Sequence, residues 1–279
     1  MKKSEAFPDF VIAGTQKAAT TWLEYNLNRN GNAVTPRRQL HFFDRHYERG
    51  FDWYRSQFPK TKPSQCVGEK TTEYFDTTTV NDVFCRIASS CPSIRVFIVL
   101  RNPVDRALSA LQHMVNSGLE ALPSDPDAIL FADMKRKSGG FRYVERGYYT
   151  RQLEAVFNYI KRDQVCILIF ERDIVRDPVA GWQKVCDFLG IENNLAQGLD
   201  TPVNNLRLSP LSIRLSHKFY TVPYARGAIR KLDRFLGMSP WAPVFRHETK
   251  VKLSHIYQDE NEALFDLLGE RISEWEIET

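Results

Sequence analysis

The fold of this chain follows from one stretch, Pro8-Asp-Phe-Val-Ile-Ala-Gly-Thr-Gln-Lys-Ala-Ala-Thr-Thr-Trp-Leu23. Its apolar run predicts a short buried strand over Phe10 to Ala13, and a helix is predicted to begin at about Thr20. A loop of small residues that begins at Gly14 joins the two. Backbone N–H groups in such a loop converge on one point, and the dipole of the following helix adds positive potential there. We therefore predict a binding site for a phosphate or a sulfate group.

The position of Lys17 distinguishes this loop from the usual nucleotide P-loop. In the Walker pattern, G-x-x-x-x-G-K-[ST], the lysine comes directly before the hydroxyl residue. Here Ala19 stands at the second glycine, and Lys17 lies inside the loop, three residues before Thr20. The charge of Lys17 and the hydroxyls of Thr20 and Thr21 can nevertheless do the same physical work. An ordinary strand-to-helix turn that carries a lysine is the alternative explanation.

The composition is that of a globular protein with room for a sizeable core. The 279 residues are 43% hydrophobic and 26% charged, and the net charge of +4 is too mild to indicate nucleic acid. No apolar run approaches the ~20 residues that span a bilayer, and no signal peptide is expected before the first strand. Five cysteines without a CxxC pair are expected to be free thiols. We therefore expect a cytoplasmic protein.

Strands and helices alternate along the rest of the chain. Residues 94–100 are apolar and β-branched with hardly any alternation, which is typical of a central parallel strand covered on both faces. Residues 165–170 form a second such run, and residues 66–70 form a shorter one. Helices are predicted over 80–88, 103–117, 148–162, 178–189 and 261–275. This order predicts an α/β fold with a central parallel sheet flanked by helices.

The last third of the chain differs in composition. We predict a single P-loop-like domain over 1–279, with an α/β core at 8–192 and a basic, mainly helical segment at 193–279. Residues 205–252 hold ten Lys or Arg residues against two acidic ones. A solvated helix face, an anionic acceptor, a nucleotide phosphate or peripheral contact with an anionic membrane would each explain this charge.

Three features occur together in this sequence. They are the Lys17 loop, a predicted strand that ends in Arg101-Asn-Pro103, and Ser109, which follows Arg101 by eight residues. A residue eight positions further on lies about two helical turns along. Ser109 could therefore reach the same ligand as Arg101.

With these features the chain resembles the sulfotransferases that use 3′-phosphoadenosine 5′-phosphosulfate (PAPS), above all the heparan-sulfate-type 3-O- and N-sulfotransferases and their bacterial relatives. Gly14-Thr-Gln-Lys-Ala-Ala-Thr-Thr21 is similar to their 5′-phosphosulfate loop, and Val99-Leu-Arg-Asn-Pro-Val-Asp-Arg-Ala-Leu-Ser109 to their 3′-phosphate segment. Further landmarks follow in the family's order: His41-Phe-Phe-Asp44, Gly68-Glu-Lys-Thr71, Arg146-Gly-Tyr-Tyr149 and Phe170-Glu-Arg-Asp173. The resemblance covers residues 8–192 well and the last third loosely.

The resemblance implies in-line transfer of a sulfonate group from PAPS to a hydroxyl, or alternatively an amine, of a small-molecule, glycan or lipid acceptor. Lys17 would contact the bridging oxygen of the leaving 5′-phosphate, and Lys70 would lie near the transferred sulfonyl group or the acceptor. Arg101 and Ser109 would bind the 3′-phosphate. The product would be 3′,5′-ADP, and no metal would be needed. The donor-binding residues so implied are Gly14, Thr15, Gln16, Lys17, Ala18, Ala19, Thr20, Thr21, Arg101 and Ser109.

The base that accepts the acceptor's proton departs from the family pattern. In the 3-O-sulfotransferases a glutamate two residues before His-Phe-Phe is the expected base, and here that position is Gln39, which cannot accept a proton at neutral pH. His41 is the best replacement, because imidazole titrates close to neutrality. Glu69, Asp44 and Glu73 are further candidates. The catalytic roles implied are those of Lys17, His41 and Lys70.

Three other functions stay open at this point. A P-loop kinase would need a strand-end aspartate for Mg²⁺, whereas the two strongest strands after the loop end in Arg101 and Glu171. The glutamine at position 39 would also suit a catalytically weak nucleotide-binding protein. A polyanion- or membrane-binding protein would use residues 205–252 independently of Lys17. In the family the acceptor is chosen by loops, here expected around 44–64, 118–147 and 200–250.

Overall fold

Five parallel strands form one sheet in the order β2-β3-β1-β4-β5. The computed structural model describes residues 7–136, 140–195, 198–200 and 207–276. The strands are β1 (Phe10–Gly14), β2 (Ala33–Val34), β3 (Cys66–Lys70), β4 (Arg95–Leu100) and β5 (Val165–Ile169). The predicted parallel sheet is thus confirmed, and the run that decides the fold is its central strand.

Helices follow the strands as predicted, with one clear exception. They are α1 (Thr20–Asn30), α2 (Gly50–Ser56), α3 (Val80–Ser90), α4 (Pro103–Asn116), α5 (Pro126–Met134), α6 (Tyr149–Phe157), α7 (Pro178–Leu189), α8 (Pro210–Lys218), α9 (Ala225–Leu236) and α10 (His247–Leu268). The predicted bounds of the last helix, 261–275, are wrong, because α10 begins 14 residues earlier, at His247, and ends at Leu268. Its first half is mostly polar, and Leu253 and Tyr257 are the only apolar side chains there that are fully buried, so the apolar pattern was too sparse to predict it.

The chain divides into two compact units. The first consists of residues 1–102, 148–202 and 260–279 and contains the whole sheet. The second consists of residues 103–147 and 203–259 and is helical in its described part. The assignment of the whole chain to a single domain stays a prediction.

Both faces of the sheet are covered by helices in the first unit. Because successive residues of a strand point to opposite faces, β1 contributes to two separate cores. Phe10 and Ile12 pack with apolar residues of α1 and α7. Val11 and Ala13 pack with apolar residues of α3 and α6. This two-sided burial explains why β1 and β4 are continuous apolar runs without alternation.

The carboxyl ends of the strands mark the edge where a ligand is expected. The chain passes from β1 to β2 and β3 on one side, and then to β4 and β5 on the other. Open α/β sheets bind ligands outside the carboxyl ends of the strands, where the strand order changes direction. Here the residues at or just beyond those ends include Lys17, Lys70, Arg101 and Glu171.

A buried carboxyl group forms a hydrogen-bonded cluster next to this edge. Glu69 in β3 is fully buried and accepts hydrogen bonds from the hydroxyls of Tyr54 (2.5 Å), Tyr74 (2.9 Å) and Thr71 (3.0 Å). Burial raises the pKa of Glu69 to about 7, although the three hydrogen bonds act in the opposite direction. The proton on Glu69 is therefore held more tightly in the folded protein than in the unfolded chain.

We expect Glu69 to make the stability of the protein depend on pH. The pKa of a glutamate in the unfolded chain is near 4.5, against about 7 in the folded protein. Its stabilising contribution is therefore complete below pH 4.5 and is lost as the pH rises toward 7, by on the order of 3 kcal/mol. Urea unfolding at a series of pH values should show this fall in the free energy of unfolding, and Glu69→Gln should abolish it. The exposed control Glu154→Gln should keep the wild-type slope; equal slopes in all three proteins would contradict the prediction.

Candidate functional site

The loop after β1 has the backbone of an anion site. Lys17 (φ 71°) and Ala19 (φ 64°) both adopt the left-handed conformation, and α1 begins after Ala19 without a side-chain cap. The first N–H group of α1 that is bonded within the helix is that of Trp22, which donates to the Ala19 carbonyl over 2.9 Å. The N–H groups of Thr20 and Thr21 come before it. Uncapped N–H groups at a helix N-terminus, together with the helix dipole, attract an anion.

Two cationic side chains, Lys17 of the loop and Arg101 just after β4, lie together here. One guanidinium nitrogen of Arg101 donates to the Lys17 carbonyl over 3.0 Å, and the guanidinium stacks over the Phe170 ring at 4.8 Å. Burial, and after it the charge of Arg101, lower the pKa of the Lys17 ammonium from its usual value. Within the described residues, the buried Nε of Arg101 and the buried hydroxyl of Thr15 have no hydrogen-bond partner. Two like charges and unsatisfied polar groups would all gain from a bound anion.

Residues that sequence reasoning did not assign hold Arg101 in place. Tyr149 donates a hydrogen bond from its hydroxyl to the Arg101 carbonyl over 2.8 Å. Glu171, just after β5, accepts from the Asn102 N–H (2.9 Å) and from the Trp275 indole (2.9 Å). The fixed turn after β4 therefore depends on contacts with distant parts of the chain. The Arg146-Gly-Tyr-Tyr149 and Phe170-Glu-Arg-Asp173 motifs were the only sequence signals for these partners.

The structure places Lys70 at the carboxyl end of β3, beside α1. Its ammonium donates to the Thr21 hydroxyl over 3.4 Å and forms an ion pair with the Glu24 carboxylate. The side chains of Lys70 and Glu24 are 13% and 15% exposed, so water screens this pair only partly. Sequence reasoning missed Glu24, because its partner lies 46 residues away on another element.

His41 lies between two carboxylates. Its Nδ1 is 2.9 Å from the Asp44 carboxylate, and its Nε2 is 4.0 Å from the Glu73 carboxylate. A carboxylate at Nδ1 favours the tautomer with its proton on that nitrogen, which leaves the lone pair of Nε2 free to accept a proton. This arrangement suits the general-base role predicted for His41, which stays a prediction.

Hydrogen bonds that involve side chains connect the His41 loop to the residues just after β3. The His41 N–H donates to the Thr71 hydroxyl over 3.3 Å, and the side-chain carbonyl of Gln39 accepts from the Thr72 N–H (2.8 Å) and hydroxyl (3.1 Å). Gln39 therefore has an anchoring role at the position where the family has its expected base. Glu69, a further candidate base, is wrong for that role, because it is fully buried within its hydrogen-bonded cluster.

The remaining predicted donor-binding residues lie in the loop after β1, at the start of α1 and in α4. Thr15, Ala18 and Thr20 are buried, and Gln16 is half-buried in the same loop. Ser109 is half-buried in α4 and belongs to the second unit, whereas Arg101 belongs to the first. Joint binding of the 3′-phosphate by Arg101 and Ser109 therefore stays a prediction.

The described part of residues 205–252 contains α8, α9 and the start of α10, with non-helical stretches between them. Asn205 and Leu206, at the start of this range, lie outside the described residues. In α9, Asp233 is the one acidic residue, and it is buried, where it accepts a hydrogen bond from the Ser209 hydroxyl over 2.5 Å. The outward face of α9 is thus apolar and basic, with Leu232, Phe235 and Leu236 all more than half exposed.

Neither a metal cluster nor a membrane span occurs among the described residues. No group of three or more His, Cys, Asp or Glu side chains in these ranges could hold a metal ion. No helix in the same ranges combines the length and the apolar character that crossing a bilayer requires.

Known proteins resemble this chain in sequence. A family model described as the sulfotransferase domain matches residues 7–223. Heparan sulfate glucosamine 3-O-sulfotransferase 6 of Homo sapiens is 32% identical over 186 residues, which are 67% of this chain and 53% of that protein. Heparan sulfate glucosamine 3-O-sulfotransferase 3B1 of Mus musculus is 29% identical over 196 residues, which are 68% and 47% of the two chains. The chain spans about half the length of the curated relatives it matches.

Solved structures share the fold. The crystal structure of a sulfotransferase from Alicyclobacillus acidocaldarius matches with a TM-score of 0.72 at 22% identity, over 97% of this chain and 99% of that chain. Mouse sulfotransferase SULT7A1 complexed with PAP matches with a TM-score of 0.50 at 16% identity, over 95% and 88% of the two chains. At these identities the likeness concerns the fold alone. Since the family model covers more than half of the chain, and a relative is 32% identical over 67% of it, the chain belongs to the sulfotransferase domain family.

Proposed function

We propose that this protein transfers a sulfonate group from PAPS to an acceptor hydroxyl, with an amine as the alternative nucleophile. The observation that carries the proposal is the Lys17 and Arg101 pair beside the uncapped N-terminus of α1. Family membership favours sulfonate transfer over the kinase alternative. A fold neighbour is described as complexed with PAP, which is 3′,5′-ADP, the product that PAPS would leave.

The chemistry proposed for the loop is electrostatic. Sulfonate transfer by in-line displacement builds negative charge on the leaving phosphate, so catalysis consists mainly of positioning and charge stabilisation. Lys17 and the N–H groups of Thr20 and Thr21 would bind that phosphate. The planar guanidinium of Arg101 suits the 3′-phosphate, because it can donate two parallel hydrogen bonds.

The acceptor's proton would pass to His41. Asp44 holds the Nδ1 side of the ring at 2.9 Å, so the proton would arrive at Nε2, and the Asp44 carboxylate would stabilise the imidazolium that forms. Glu73, 4.0 Å from Nε2, would add a second stabilising charge. The Gln39 side chain takes no part in this transfer.

We expect 3′,5′-ADP to bind more tightly than ADP with Mg²⁺ in calorimetric titration. Arg101→Ala should weaken 3′,5′-ADP binding roughly 10- to 100-fold, because a hydrogen bond to a charged group contributes about 1.5–3 kcal/mol. Lys17→Ala should weaken it as well. The control Arg151→Ala, which removes an exposed arginine paired with Glu260, should bind like the wild type. A preference for ADP with Mg²⁺ would overturn the donor assignment.

We expect His41→Gln to slow turnover without loss of 3′,5′-ADP affinity. Loss of a general base typically lowers kcat by about 10²- to 10⁴-fold. Release of 3′,5′-ADP from PAPS would be measured across a panel of phenols, alcohols and neutral and acidic oligosaccharides. The exposed control His255→Gln should keep the wild-type rate. Equal rates for His41→Gln and the wild type would remove His41 from the mechanism, and a wild type that turns over no acceptor would favour a nucleotide-binding protein.

We also propose that α9 attaches the protein peripherally to an anionic membrane. Phe235 is 86% exposed, Leu236 54% and Leu232 52%, and the exposed cations Lys231 and Arg234 belong to the same helix. An apolar stripe bordered by cations is typical of helices that lie in the membrane interface. The free energy of membrane binding would have two components, electrostatic attraction to anionic lipid and insertion of the apolar side chains.

We expect the protein to sediment with phosphatidylserine-containing vesicles and much less with pure phosphatidylcholine. The double variant Leu232→Ser, Phe235→Ser should lower the partition coefficient at least tenfold, because it removes the inserting side chains. Val179→Ser, which changes a 69% exposed valine of α7, is the matched control. Lys17→Ala should bind vesicles normally. Equal sedimentation of the double variant and the control would exclude α9 as the membrane contact.

A further inference from the structure

A cleft of about 660 Å³ opens beside the phosphate loop. Its lining includes Thr21 and Glu24 of α1, Asn28 further along the same helix, and Phe58. This volume lies in the range of small-molecule sites. Thr21 is the last residue of the loop motif, so the cleft adjoins the position proposed for the transferred group.

The charge of Glu24, one of the lining residues, is already balanced. Lys70, proposed to lie near the sulfonyl group or the acceptor, forms an ion pair with Glu24, and it also donates to Thr21. Glu24 itself lines the cleft. An entering molecule therefore meets a carboxylate and a neutralised ammonium rather than a free cation.

Further hydrogen bonds support the α1 segment that carries Glu24. Asn28 donates to the Glu24 carbonyl over 2.8 Å and accepts from the Thr35 N–H over 3.0 Å. The Thr35 hydroxyl lies 3.5 Å from the second Glu24 carboxylate oxygen. This bracing limits how far Glu24 can withdraw from Lys70 when a molecule enters.

One cation among the lining residues does not reverse this charge pattern. Arg37 also lines the cleft, but it is exposed. Exposed charges are strongly screened by water and salt, whereas Glu24 and Lys70 are largely withdrawn from solvent. Glu24 should therefore have the larger effect on a bound molecule.

We infer that this cleft receives the acceptor, and that Glu24, paired with Lys70, restricts it to molecules without negative charge near the reacting group. The inference rests on the proposed sulfotransferase function and narrows its acceptor class. A sulfated or carboxylated acceptor would gain little from Lys70, because Glu24 already balances the charge of that ammonium. A hydroxyl or ammonium group could instead donate a hydrogen bond to the Glu24 carboxylate.

The test compares anion binding in four proteins loaded with 3′,5′-ADP. Calorimetry would measure the affinity for a heparin tetrasaccharide and for neutral N-acetylchitotetraose in the wild type, Glu24→Gln, Lys70→Met and the double variant. Glu24→Gln should tighten heparin-fragment binding about tenfold, because it frees the Lys70 charge. The double variant should lose this gain, and the neutral probe should bind equally to the wild type and Glu24→Gln.

A charge control separates the cleft from the rest of the surface. Glu154→Gln changes the net charge equally but lies on an exposed position of α6, so it should leave heparin-fragment affinity unchanged. Equal affinities in the wild type and Glu24→Gln, or equal gains in Glu24→Gln and Glu154→Gln, would overturn the inference. Failure of 3′,5′-ADP to bind in the loading step would instead contradict the proposed function, and the variants could still be compared without nucleotide.

Discussion

The pairing of β1 with β3 on one side and β4 on the other is the constraint on which the site depends. Its register sets Ile12 opposite Lys70 and Gly14 opposite Ile98, two residues before the end of β4. Parallel strands bring the residues at their carboxyl ends to one edge of the sheet, and here several of those residues are cations. Burial, and after it the charge of Arg101, lower the pKa of the Lys17 ammonium. An anionic ligand at this edge would offset that unfavourable arrangement.

The two sides of α1's N-terminus differ in how charge is balanced. On the β4 side, Lys17 and Arg101 are close, and the buried Nε of Arg101 lacks a partner within the described residues. On the β3 side, Lys70 is paired with Glu24. An unbalanced pair suits a highly charged donor, and a balanced pair suits a molecule without strong charge. In the proposed function, this difference would let one helix terminus separate an anionic donor on the β4 side from the acceptor on the β3 side.

Local patterns made the sheet and the strand–loop–helix unit around Lys17 predictable from the sequence. Continuous apolar runs define β1 and β4, and a small-residue loop before a helix needs no distant partner. The contacts that shape the rest of the site are long-range. Glu24 meets a lysine 46 residues away, and the enclosure of Glu69 by Tyr54 and Tyr74 comes from two separate segments. Sequence periodicity does not indicate long-range contacts of this kind. For that reason the ion pair of Glu24 was not predicted, and the buried Glu69 was included among the candidate bases.

Gln39 illustrates that anchoring a loop and accepting a proton are different chemical tasks. Anchoring the loop requires only an oxygen that accepts hydrogen bonds from Thr72, and a glutamine carbonyl supplies it as well as a carboxylate would. Proton transfer requires a group that can become protonated, which a glutamine cannot provide. His41 lies two residues further on, in the loop that the Gln39 and Thr71 contacts fix, and Asp44 orients its ring. The two tasks are therefore separable in this loop: Gln39 supplies the anchoring oxygen, and the proposed base, His41, would accept the proton.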